Sequence, residues 1–264
     1  MKTDTIKTKV NKPSSGWREM FKPSHWSAGD GKFGTYMFLV LATFFVFHVG
    51  CQLGVMVYIT QYAVDSGLGF DNQEGALLNA MLNLSGTIAR LVAIVVAPCV
   101  SNLSMMHVLV HGELVGALLF ILWGNKTKVG LWVSTIFFGA IHRPIWGAAY
   151  VWVNDYITLL AIVIAALNFA TNFAGIFQIS LYGYLYTETV IDSIFYVCSI
   201  YAAIVCFAWY AMYYLARKNG TRADRLTKAN DIKTITVNPS ATVSDDAFEN
   251  NNDQLDMDVI DVRF

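Results

Sequence analysis

The chain has 264 residues, of which 55% are hydrophobic and only 14% charged, with a net charge of -1 and a positive mean hydropathy. That balance excludes an ordinary soluble domain and makes lipid the solvent for most of the chain. It also contains no basic, aromatic-interleaved surface of the kind that binds nucleic acid.

The first 32 residues are polar and rich in Lys, and no cleavable secretory signal is visible in them. Six apolar runs follow, each long enough for a bilayer core that needs about 20 residues per helix. They are Phe33–Ile59, Glu74–Cys99, Ser104–Trp123, Val129–Val153, Thr158–Tyr184 and Ser193–Ala216. The polar breaks between them are short and suit antiparallel neighbours. From about Asn219 the hydrophobic periodicity ends, and Asn, Asp, Thr and Ser dominate. The expected organisation is therefore a basic tail over 1–32, a six-helix transmembrane domain over 33–216 and a disordered tail over 217–264. Lys and Arg concentrate in the first tail and just after the last run. This predicts that both termini are cytoplasmic, with Lys126 and Lys128 as exceptions on a short outer turn. Cys51, Cys99, Cys198 and Cys206 lie in or at the ends of apolar runs without metal-ligand spacing and read as small core residues.

Polar residues inside apolar runs point to a bundle interior or a water-filled path. In the second run Asn79, Asn83, Gly86 and Arg90 share one helical face. That face is either a packing seam of hydrogen-bonding side chains or the wall of a solute path. The first run places His48 and Gln52 one turn apart, and the fifth aligns Asn168, Asn172, Gly175 and Gln178. Amides both donate and accept, which suits the recognition of hydroxyl groups. The fourth run carries His142, Arg143, Trp146 and Tyr150 on a broad face, where an indole could stack on a sugar or simply anchor the helix. The third contains His107, His111 and Glu113. The two histidines lack a third ligand at matching spacing. Glu113 is expected to pair with Arg90 or Arg143, with proton coupling as its alternative role. No G-x-S-x-G, P-loop or H-E-x-x-H pattern suggests an enzyme.

Four segments together resemble a known family. FFVFHVGCQLGVMVYITQYAV, EGALLNAMLNLSGTIARLVAIVVAP, GAIHRPIWGAAYVWVNDYI and NFATNFAGIFQISLYGYLYTE are similar to the seventh, eighth, tenth and eleventh helices of the fucose permease-like branch of the major facilitator superfamily. The closest likeness there is to the animal sodium-dependent glucose transporter-like group, major facilitator domain-containing type four. The resemblance implies an all-α fold that is the C-terminal six-helix half of a twelve-helix transporter, in the plasma membrane, moving a hexose or related polyol. On it, Gln52, Asn79, Asn83, Trp146, Asn168 and Asn172 would contact substrate, while Arg90, Glu113, His142 and Arg143 would serve gating or helix packing. It implies no cofactor beyond a coupling ion, Na+ or H+. Gln52 stands where the family often has Glu, and His142 and Arg143 stand where relatives usually have small neutral residues. One half cannot form both walls of a midplane site. The expected partners are therefore the bilayer, a solute, and either a missing N-terminal half or a second copy. The rival expectation is a half-transporter that moves nothing and regulates a full-length relative.

Overall fold

The computed structural model describes residues 31–228. The tail over 1–30 and residues 229–264 lie outside the described residues, so the expectation of disorder there lies outside them too. The chain divides into two units at Ala223. In the second, the described residues 224–228 are helical. All that follows concerns the first unit.

Every regular element described is helical. Helix α1 spans Gly31–Asp65 and runs past the predicted end at Ile59. Gly67 and Gly69 then take positive φ values of 71° and 80°, a region that a side chain disfavours, and turn the chain back. Helix α2, Asn72–Val96, starts at a capping box in which Asp71 accepts from the Glu74 amide and Glu74 accepts from the Asp71 amide. It ends in a 3₁₀ turn over Ala97–Cys99 that contains Pro98. Helix α3, Asn102–Leu119, is capped by Ser101 and closes in a π turn over Phe120–Gly124. Helix α4, Lys128–His142, is capped by Thr127, and α5 covers Ile145–Asn154. Helices α6, Ala161–Glu188, and α7, Ser193–Asn219, complete the unit.

Five of the six predicted runs are helices long and apolar enough to cross a membrane, so the protein is an all-α, multi-pass membrane protein. The fourth run is the exception. Instead of one helix over Val129–Val153 it forms α4 and α5, which are broken at Arg143 and Pro144. Pro144 has no N–H to give to the carbonyl four residues back, and its ring crowds that carbonyl. The fifth run also starts late, at Ala161 instead of Thr158. The last helix continues through Arg217, Lys218 and Asn219, which the sequence assigned to the tail.

Helix α1 packs on α2, α6 and α7, while α3 packs on α4, α5 and α7, and α2 leans on α4. Close approach depends on small residues. The Tyr182 ring of α6 lies where a Cβ on Gly54 would be, within 2.1 to 2.5 Å of it. Gly139 of α4 similarly admits the Leu82 carbonyl of α2, 2.4 Å from such a Cβ. The buried side chains form two apolar clusters. One is built around Met37, Leu41, Phe44, Trp152 and Trp209, and the other around Val55, Tyr62, Phe120, Phe138 and Phe195.

Polar contacts at the helix ends sort into two sets. In one, Tyr62 donates to Asp192 at 2.6 Å, Tyr186 donates to Asp65, and Lys128 pairs with Glu74 at 2.6 Å. This set joins the end of α1, the starts of α2, α4 and α7, and the end of α6. In the other, Asn102 donates to Asp155 at 3.2 Å and the Arg222 amide donates to the Asp155 carbonyl at 3.0 Å. That set joins the start of α3, the end of α5 and the residues after α7.

Cys51, Cys198 and Cys206 are buried as expected, but Cys99 is exposed on the 3₁₀ turn after α2.

Candidate functional site

The polar face of α2 meets α4 at the point where the fourth run breaks. The Arg143 guanidinium donates to the side-chain carbonyl of Asn83 and lies 3.9 Å from the Met56 sulfur. Asn83 in turn donates to the Asn79 carbonyl at 2.9 Å. Arg90, one further position along the same face, donates through Nε to the Arg143 carbonyl at 3.2 Å. A carbonyl at a helix break needs an outside donor, and a charged one makes the stronger bond. Gly86 leaves room for Arg143, whose Cγ would be 2.2 Å from a Cβ there. A half-buried arginine, Arg143, is thus held by an amide, and an exposed one, Arg90, by a backbone carbonyl, with no carboxylate among their described partners.

Beside this seam lies a cavity of about 380 Å³. Arg90, Arg143, Trp146 and Asn102 are among its lining residues, with Ile94, Met105 and Val151 among its apolar walls. Such a volume lies within the range of about 300 to 1,000 Å³ typical of small-ligand sites. One face of the Trp146 ring is already taken, stacked on Phe45 with centroids 4.3 Å apart. A larger groove of about 630 Å³ between α2, α3 and α4 is lined almost entirely by aliphatic side chains such as Ile88, Val92, Val108 and Ile141.

Of the ten residues singled out from the sequence, four converge here: Asn83, Arg90, Arg143 and Trp146. Asn79 supports Asn83. Gln52 is half-buried on α1, outside the lining of the cavity. Asn168 and Asn172 are exposed on α6, where each donates to a carbonyl one turn back in its own helix, Ile164 and Asn168, at 3.0 and 2.8 Å. Gln178, on the same helix, is buried and donates to the Val46 carbonyl of α1 at 3.0 Å.

Glu113 and His142 belong to a second cluster. The sequence suggested that Glu113 pairs with Arg90 or Arg143; its partners are instead His48 and His142. Glu113 is fully buried, with Oε1 at 3.0 Å from His48 Nδ1 and 2.9 Å from His142 Nδ1, and Oε2 at 3.1 Å from His48 Nδ1. Both imidazoles are buried too, and their rings stack with centroids 3.8 Å apart. Arg143 is next in sequence to His142 but turns the other way, toward Asn83, which leaves the carboxylate to the histidines. The three ligand atoms lie within 4.8 Å of one another, a grouping that could in principle hold a metal ion. It fits poorly. The nitrogens and oxygens are already at hydrogen-bond separation, and ligation through Nδ1 would leave both Nε2–H groups buried without an acceptor. Ligating histidines normally give that second N–H to a partner. The contacts are those of one carboxylate shared by two imidazoles. In the sequence, His48 stands out only by its spacing from Gln52. The available signal was position: His48 is the central residue of the 35-residue α1, and Glu113 is the central residue of the stretch Asn102–Gly124.

The other two histidines among the described residues, His107 and His111, do not form a metal pair either. His111 bonds the His107 carbonyl at 2.6 Å and the Tyr210 hydroxyl at 2.7 Å, while the Trp209 indole donates to His107 Nδ1 at 3.1 Å. They fasten α3 to α7.

No protein-family model matches the chain, and no solved structure matches it. Three curated proteins are similar to part of it. The sodium-dependent glucose transporter 1 of Xenopus laevis is 27% identical over 143 residues, which are 52% of this chain and 29% of that protein. The protein of the same name from Homo sapiens is 26% identical over 146 residues, 55% of this chain and 28% of its own length. The sodium-dependent glucose transporter 1A of Mus musculus is 26% identical over 132 residues, 50% and 31% of the two chains. The matched region thus covers less than a third of each relative. These relatives are transporters by name, not enzymes, and the chain is a transporter-like membrane protein.

Proposed function

We propose that the chain is a six-crossing half of a secondary transporter of the major facilitator type, and that it contributes one wall of the path of a small, hydroxyl-rich solute. A hexose is the first candidate, because the similar proteins are named for glucose transport. The observation that carries the reading is the junction of Asn83, Arg143 and Arg90 at the broken helix, opening with Trp146 onto a cavity of about 380 Å³. Broken helices with freed backbone groups are where transporters of this kind place their sites. The two sets of end contacts support counting α4 and α5 as a single crossing, since Lys128 belongs to one set and Asp155 to the other. On this reading both termini are cytoplasmic and the protein sits in the plasma membrane. The second wall comes from a further six-helix unit, either an N-terminal half or a second copy. The exposed apolar faces of α2 and α6, with Ile94 and Val95 on one and Phe169 and Phe177 on the other, are the surfaces such a unit would cover.

Uptake of labelled hexoses into proteoliposomes, with and without a Na+ gradient, tests the reading. The expected result is uptake that falls at least tenfold in Arg143→Gln and Asn83→Ala protein that is inserted normally. Wild-type protein that binds another six-helix unit yet moves no hexose would favour a regulatory half instead.

A further inference from the structure

The cluster of His48, Glu113 and His142 lies apart from the seam and has no task in the reading above. Its carboxylate is fully buried, and no Lys or Arg side chain reaches it among the described contacts. Other titratable groups surround it on each packed element. Cys51 on α1 and Cys206 on α7 both interact electrostatically with Glu113, and both thiols are engaged with backbone carbonyls, those of Cys198 and Val110. Arg143, which follows His142 on α4, is the nearest fixed cation and is committed to Asn83. Any charge that balances Glu113 must therefore come from the two imidazoles.

Geometry fixes how many protons they can carry. Each ring presents Nδ1 to the carboxylate, and an ionised Glu113 can only accept, so with it each Nδ1 carries a hydrogen and donates it. Each Nε2 is buried and meets no protein group. With both Nε2 atoms bare, the cluster buries a net charge of minus one, which is costly in a low-dielectric interior. One added proton makes the cluster neutral. A second would set two cations face to face at a ring separation of 3.8 Å, against a single carboxylate. The cost of one Nε2–H without an acceptor is smaller than that of the uncompensated charge.

We infer that His48, Glu113 and His142 form a binding site for a single exchangeable proton at the centre of the bundle, shared between two stacked imidazoles that each offer a basic Nε2. On loading, hydronium gives its proton to one Nε2 and becomes water; on release that N–H bond breaks and a water molecule takes the proton back. His142 is the last residue of α4 and adjoins the break at Arg143 and Pro144. In the transport reading, on which this part alone rests, arrival of the proton places a cation beside the arginine that holds Asn83, and so couples protonation to the seam.

The test is nitrogen-15 NMR of histidine-labelled full-length protein in nanodiscs from pH 5 to 9, with resonances assigned through His48→Gln and His142→Gln. One proton is expected to titrate across the pair. Each single variant should keep a one-proton step, because the remaining ring takes over, while Glu113→Gln should lose the cationic ring throughout. Two rings that stay neutral at every pH, two rings that become cationic together, or a titration unchanged in Glu113→Gln would overturn the site. Should Glu113→Gln fail to fold, the two single histidine variants still decide, because loss of the step in either one rules out sharing. Uptake that ignores pH while the titration persists would count against the coupling and leave the site standing.

Discussion

Arg143 is held by a single side-chain amide. With Asn83→Ala the guanidinium keeps its burial and loses its acceptor, and a charged group left unsatisfied costs about 1 to 3 kcal/mol or more. We expect a lower thermal midpoint, recovered by Asn83→Asp, which restores an acceptor and adds the missing negative charge. Scanning fluorimetry of the purified variants checks this, and no difference between Ala and Asp would mean that the contact contributes little. Gly54 makes a separate prediction. A methyl group there collides with the Tyr182 ring, so Gly54→Ala should cost about 1 to 3 kcal/mol through overpacking. Adding Tyr182→Ala should remove most of that cost, and a double-mutant cycle measures the relief. At this scale the sequence was readable where one helix carried the whole pattern, as on the polar face of α2. It was not readable where the partners came from different helices. His48 lies 65 positions from Glu113, and no spacing rule links them.

Hydropathy located the helices well, because about twenty apolar residues in lipid have few alternatives to a helix. It did not reveal the break in the fourth run, where apolar residues flank the short segment His142-Arg143-Pro144 and a window average passes over it. Nor did it foresee that α1 continues to Asp65, because the last turn is stabilised by contacts such as Tyr186 to Asp65 instead of by lipid. The break is open to test. Pro144→Ala restores the missing donor and should let α4 and α5 join, since an interior proline costs a helix about 3 kcal/mol. We expect a thermal midpoint at or above that of the wild type together with uptake at least tenfold lower. Normal uptake would show that the discontinuity is dispensable.

For the whole molecule, the open question is which way the chain faces. Cys99 is the one exposed cysteine among the described residues, and it lies at the end of α2. Ser66, at the opposite end of the bundle, follows α1. A membrane-impermeant maleimide applied to intact cells should label Ser66→Cys at once and reach Cys99 only after permeabilisation, as cytoplasmic termini require. The reverse pattern would invert the molecule. The charge rule that predicts this orientation had one blemish, the lysines on an outer turn, and Lys128 now accounts for half of it. Its ammonium lies against Glu74 at 2.6 Å, bonds the Gly69 carbonyl and sits 5.0 Å over the Phe70 ring.

That pairing has a chronology. Glu74 precedes Lys128 by 54 positions, so it leaves the ribosome first. In the proposed orientation the lysine must cross the bilayer, and Glu74 gives it a counter-charge that its own sequence neighbourhood does not supply. Reversing the pair, with Glu74→Lys and Lys128→Glu together, keeps the finished contact but puts the cation first in line. If the order of synthesis matters, the swapped chain should insert α2 less faithfully even though its folded form would be equally well paired.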